Sequence, residues 1–198
     1  MSATFLHRAG LLAATVLVLL AGSAFADEPT HDEMMKIYLK AAAPGPEHAW
    51  IAKHAGKWNC TMRSWMDPAG EPMVSQGVEE SKMILDGRFL STEFNGENMG
   101  MPFTGRGLMG YDNVKKKYVG TWLDNMGTGI MSYEGDYDSA KKELVCKGEF
   151  ADAATGQAMA CTMVTRFLSD DRHVFEMWGP SPAGDNVKWM EIEYNRAR

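Results

Sequence analysis

Cysteine, basic patches and catalytic spacings are all scarce in this chain. Only three cysteines occur in 198 residues, Cys60, Cys146 and Cys161, and no two stand as C-x-x-C. That excludes a zinc knuckle and a thioredoxin-type redox pair. No Ser, Cys or His sits in a nucleophile-elbow or zinc-helix context. His48 and His54 are six apart, off the i, i+4 spacing of a helical metal pair. With His31 and His173 they read as surface or cap residues. Glu79 and Glu80 are adjacent on a strand, so they point to opposite faces and form no carboxylate pair. No catalytic residue, metal or cofactor is therefore assigned. The formal charge is −6, and Lys115 to Lys117 make one turn rather than a basic stripe. Nucleic acid and anionic membrane surfaces are poor partners for such a balance.

Long apolar runs are also missing, apart from 11-LLAATVLVLLAG-22. Arg8 precedes that run, and 24-AFA-26 with the polar 27-DEPT-30 follows it. The order is that of a secretory signal peptide over residues 1–26, cut after Ala26. The run is shorter than the roughly 20 residues that span a bilayer. The expected product is periplasmic or secreted, with no membrane span after cleavage. Export permits disulfides, but an odd cysteine count leaves one thiol unpaired.

Residues 27–55 read as a helical segment. A first helix over 32–43 carries Met35, Ile37 and Leu39 on an apolar side and ends at Pro44-Gly45. A second over 46–56 opens with Pro and stops at Gly. From residue 56 the period becomes two. About ten strands follow, over 57–66, 73–84, 88–95, 103–111, 117–124, 130–138, 142–150, 158–168, 173–179 and 186–196. Each connection holds Gly, Pro, Asn, Asp or Ser, and no helical pattern separates two strands, so parallel βαβ units are excluded.

The segment 111-YDNVKKKY-118 recurs as 137-YDSAKKEL-144. An Asp opens a turn because its carboxylate accepts from backbone N–H groups two or three residues on. The repeat therefore reads as hairpin chemistry rather than as an active-site loop. Ten antiparallel strands lose their edges by closing. The fold class is all-β: an antiparallel meander closed into a calycin-like barrel over 56–198, preceded by one or two short helices. Gly56-Lys57-Trp58 fits the G-x-W that opens lipocalin-type barrels, and Arg196 is placed to stack on Trp58 at the barrel floor.

Three stretches, 84-ILDGRFL-90, 105-GRGLMGYDNVKKKYVGTWLDNMGTG-129 and 189-WMEIEYNR-196, resemble the bacterial proteins grouped as the domain of unknown function 1579 family. The resemblance runs from about Glu47 to the C-terminus. It implies a calycin-like barrel and carries over no catalytic residue.

Barrels of this size can hold one small ligand in a mostly apolar site. Alternation nominates Trp58, Met62, Met109, Tyr111, Trp122 and Asp124 as the lining, with Gly105 and Gly107 leaving room beside it. Asp124 has two readings, a polar handle in the cup or a cap on the turn that follows. Cys146 and Cys161 flank one turn and face the same interior; they are either bridged, with Cys60 free, or unpaired. The 16 methionines are soft ligands in principle but suit a plastic apolar pocket better than a copper site. The expected partner is a small apolar or amphipathic molecule bound without turnover. The rivals are an enzyme acting on that molecule and a structural or stress-related envelope protein with none.

Overall fold

A computed structural model describes residues 28–198 except 154 and 182. The expected signal peptide lies outside the described residues.

Helix α1 (His31–Ala42) starts at a capping box. Thr30 Oγ1 accepts from Glu33 N at 3.3 Å, and Thr30 N donates to Glu33 Oε2 at 2.8 Å. Its apolar side is not packed on the barrel. Met35, Ile37, Tyr38 and Leu39 are all exposed. The helix is tied instead at its C-terminus, where Arg88 Nε donates to Ala42 O and Asn113 Nδ2 to Ala41 O and Ala43 O. Helix α2 (Pro46–Ala52) buries His48 and Ile51 and closes one end of the sheet.

Ten strands follow: β1 (Gly56–Ser64), β2 (Met73–Ile84), β3 (Phe89–Asn98), β4 (Met101–Asp112), β5 (Lys117–Asp124), β6 (Met131–Asp138), β7 (Glu143–Ala151), β8 (Ala158–Ser169), β9 (Arg172–Pro180) and β10 (Asn186–Arg196). Each pairs with its sequence neighbour, and β1 pairs with β10 to close the barrel. The two Tyr-Asp repeats behave alike. Asp112 Oδ1 accepts from Val114 N and Lys115 N, and Asp138 Oδ1 from Ala140 N and Lys141 N. Lys116 and Lys142 take positive φ at the same place in each turn. Helix α2 stops four residues short of its expected end and β1 two residues short, whereas β3 and β4 lengthen towards each other. Met99 and Gly100 both have positive φ, as a two-residue primed turn requires, so the strands run on into the expected loop.

Closure depends on the register of β1. Trp58 lies opposite Arg196 on β10 and opposite Glu79 on β2. The Arg196 guanidinium sits 4.1 Å from the centre of the Trp58 ring. Its N–H groups donate to Ala55 O, Lys53 O, Asp170 O and Asp171 Oδ1. Trp58 Nε1 donates to His54 O at 3.0 Å, so the helical plug, both closing strands and the β8–β9 turn meet at one point. Gly56 stands beside it with φ +135°, and a Cβ there would lie 2.6 Å from Arg196 Nη1. Only glycine fits both conditions.

Trp58 is 1% exposed, so truncation leaves a large void and removes the ring on which the Arg196 guanidinium stacks. Trp58→Ala should lower stability by about 3–5 kcal/mol in denaturant unfolding, as for other buried aromatics. An unchanged midpoint would mean that the floor does not hold the barrel shut.

Candidate functional site

The barrel has a sealed end and a lumen. At the sealed end Trp50 of α2 packs against Tyr118 at 5.1 Å, Tyr137 at 4.3 Å and Phe167 at 5.0 Å between ring centres. His48, His54 and His173 belong here rather than to the surface, whereas His31 is exposed on α1 as expected. His48 and His173 are buried, and His173 stacks on Tyr194 at 4.4 Å. His48 Nδ1 accepts from Gly45 N at the start of α2. Burial, helped by the Arg196 charge, pushes His54 down to about 4. Burial also lowers His173, to about 3, with His54 and Arg196 adding to the shift. Both are therefore neutral near pH 7.

Of the six nominated lining residues, two fall in this packing. Trp58 is covered by Arg196 and by the His173 ring edge at 4.6 Å. Tyr111 meets Tyr118 at 5.1 Å and His48 at 6.1 Å. Met62, Met109, Trp122 and Asp124 do share the inward parity. Asp124 caps the turn that follows, with Oδ1 accepting from Met126 N, while Oδ2 accepts from Trp122 Nε1, each at 2.9 Å. Arg106 is not its partner, because it faces outward to Glu93. The room expected beside Gly105 and Gly107 is taken by Trp122 itself. A Cβ on Gly105 would lie 2.2 Å from its ring.

Of the two alternatives for Cys146 and Cys161 the structure has the unpaired one; all three cysteines are free and buried. Cys146 lies opposite Met163 and Cys161 opposite Gly148, one diagonal step apart. The Cys161 thiol contacts Met131 Sδ at 4.0 Å instead. Burial pushes Cys60 and Cys146 up to about 12, so both are inert thiols.

What the alternation of polar and apolar residues hid is a polar group in the barrel interior, opposite Trp58. Glu79 faces inward between Trp58 and Phe94. Ser81 Oγ donates to Glu79 Oε1 at 2.8 Å and lies 2.8 Å from Thr92 Oγ1. Burial raises Glu79 to about 7, with the Ser81 bond only partly opposing it. Tyr133 and Tyr194 converge from β6 and β10; burial raises both phenols, and the Glu79 charge raises them further. Among the described residues, only His54 Nε2 and Asn98 Oδ1 are side-chain polar atoms sealed from water without a partner. With Ser81 on Oε1, the second oxygen of Glu79 therefore borders accessible space. The buried side chains fall into two apolar clusters, one around Ile51 and Cys146 and one around Trp58 and Met62. Half-buried Trp122 and Phe175 pack against both.

Outside the barrel, a groove of about 480 Å³ crosses β4 to β7, with Leu108, Val119 and Thr121 beneath and Lys115, Glu134 and Lys147 along it. Its Lys115–Glu134 pair at 3.2 Å is exposed to solvent and adds little. Met99 and Met101 are exposed in the β3–β4 turn.

The model of the family described as "Protein of unknown function (DUF1579)" matches residues 43–196, and the chain belongs to that family. No curated protein matches it. The solved structure of Rv2717c from M. tuberculosis is similar, with TM-score 0.56 and 12% identity over 79% of this chain and 100% of that one. So is the S-type phycobiliprotein lyase CPES from Guillardia theta, with TM-score 0.52 and 12% identity over 78% and 99%. At that identity the likeness is one of fold.

The Glu79 shift has a stability consequence. Its folded value is raised, so its contribution is full below the unfolded value near 4.5 and is lost as pH rises to about 7. Relative to Glu79→Gln, the wild type should lose thermal stability across that window and no more above it. Parallel pH profiles for the two proteins would place Glu79 in solvent.

Proposed function

We propose that this member of the family is an exported, non-enzymatic binder of a small apolar or amphipathic molecule in the barrel lumen. The observation that carries the reading is Glu79. A carboxyl in an apolar barrel interior, held by one serine hydroxyl and no cation, costs stability that an apolar residue would not. Such a cost is usual where a polar group serves a site. Half-buried Trp122 and Phe175 pack against the Trp58 and Phe94 cluster that flanks it, and Met109 and Met177 add adaptable apolar surface to the neighbouring cluster. The signal-like N-terminus supports export. Among the described residues no helix is long and apolar enough to cross a membrane.

A second reading has its own observation. A carboxyl near pH 7 suits general acid or base work on a bound molecule. Glu79 would then move a proton, with Tyr133 or Tyr194 orienting the reacting group.

The test is native mass spectrometry of protein purified from its own host, together with Nile red, a neutral dye, as a lumen probe. The wild type should carry a small molecule and take up dye saturably. Trp122→Ala should weaken dye uptake while keeping its circular dichroism. Release of the molecule unaltered after incubation supports the binder, and its conversion supports the acid–base reading. No retained molecule and no saturable dye would leave a self-filled structural barrel.

A further inference from the structure

Basic side chains are distributed very unevenly across the barrel wall. On the outer face most strand cations are paired: Lys57 with Glu80, Arg63 with Glu191, Arg106 with Glu93, Arg166 with Glu143 and Glu176, and Lys188 with Glu176 and Glu191. Among the described residues of inward parity, Arg196 is the one cation, and it is committed. It covers Trp58 and satisfies three carbonyls and the Asp171 carboxylate at the floor. The groups facing Glu79 are otherwise uncharged near pH 7: Trp58 and Cys60 from β1, Ser81 on its own strand, Thr92 and Phe94 from β3, and the phenols of Tyr133 and Tyr194. The nearest imidazoles, His54 and His173, are held neutral by burial. Asp124 adds a second carboxylate at the opposite end of the lumen, holding the Trp122 indole.

We propose that the lumen selects amphiphiles by charge, taking a monocationic amine or ammonium head against Glu79 and rejecting carboxylates such as fatty acids. The inference rests on the lumen-binding reading and names its ligand class. An anionic head would enter a low-dielectric space beside a carboxyl with no free cation to meet it, which is strongly unfavourable. A cationic head gains a Coulomb partner of opposite sign. The faces of Trp122 and Tyr133 add the cation–π attraction that favours ammonium groups. Two inward positions, Ser75 and Gly77, separate Glu79 from the far end of β2, so the head would lie deep and the tail along the methionines.

The sign of the pH effect follows. Cation binding needs the carboxylate, so affinity should rise as pH climbs towards about 7 and level off above it. Binding below that point should release a proton.

The experiment uses three dodecyl probes below micellar concentration, the trimethylammonium, the alcohol and the carboxylate, each displacing Nile red from the full protein. At about pH 8.5 the ammonium should bind about tenfold or more tightly than the carboxylate. Glu79→Gln should erase that preference, so that the ammonium loses its advantage over both the alcohol and the carboxylate. Calorimetry of the wild type at about pH 6 in two buffers of different ionisation enthalpy reads the released proton without any variant. Dodecanoate binding as well as the ammonium, or ammonium binding without proton release, would overturn the charge selection alone. No Nile red uptake by the folded wild type would overturn the lumen reading and this inference together.

Discussion

The guanidinium of Arg196 stacked on Trp58 is the contact on which the barrel's closure turns. A ten-strand meander has two free edges, β1 and β10, far apart in sequence and costly to bring together. Their pairing gains only ladder hydrogen bonds unless something fixes the register. Arg196 does so by reaching past the ladder to the carbonyls of Lys53, Ala55 and Asp170. One side chain thus ties the last strand to the plug and to the β8–β9 turn. Gly56 is the complement, since its φ and its missing Cβ make the space that the guanidinium occupies.

The same exchange of glycine for ring shapes the interior. Trp122 covers Gly105 and Gly107, Phe94 covers Gly77 and Gly96, and Tyr133 covers Gly120. A large ring lies flat on a neighbouring strand only where that strand has no side chain, so each pair is a single packing unit. The lumen is narrowed by its own aromatics rather than hollow throughout. Binding would then use the space around Glu79 and the give of Met109 and Met177, not a preformed void beside the glycines.

Buried polarity is answered differently on the two sides of Trp58. Beneath it every charge is met: Arg196 has its carbonyls and Asp171, and the two histidines are neutral. Opposite it on β2, Glu79 has only Ser81. A fold selected for stability alone would replace that carboxyl with leucine or methionine, and the proposed role in recognition rests on this contrast.

The fold was legible in the sequence because its signals are local. Turn chemistry at Asp112 and Asp138 needs only the next three residues, and strand alternation needs only the strand. Gly56, Trp58 and Arg196 were found for the same reason, since a short motif and a terminal residue mark the two edges that must meet. The site was less legible. On β2 the more apolar parity is Val74, Val78 and Ile84, yet Val74 and Val78 are exposed and Glu79 faces in. Composition along one strand cannot settle which face is inward when both are mixed. The pairing of Glu79 with Trp58 settles it, and that register exists only once β1 and β2 are joined. The cysteines teach the same point. Sequence placed Cys146 and Cys161 on one interior face, but the ladder sets them a diagonal apart, with Gly148 opposite Cys161. Local chemistry therefore determined the strands, their turns and the closing residues. The tertiary register decided which side chains share the lumen, because facing is a relation between strands and no single strand contains it.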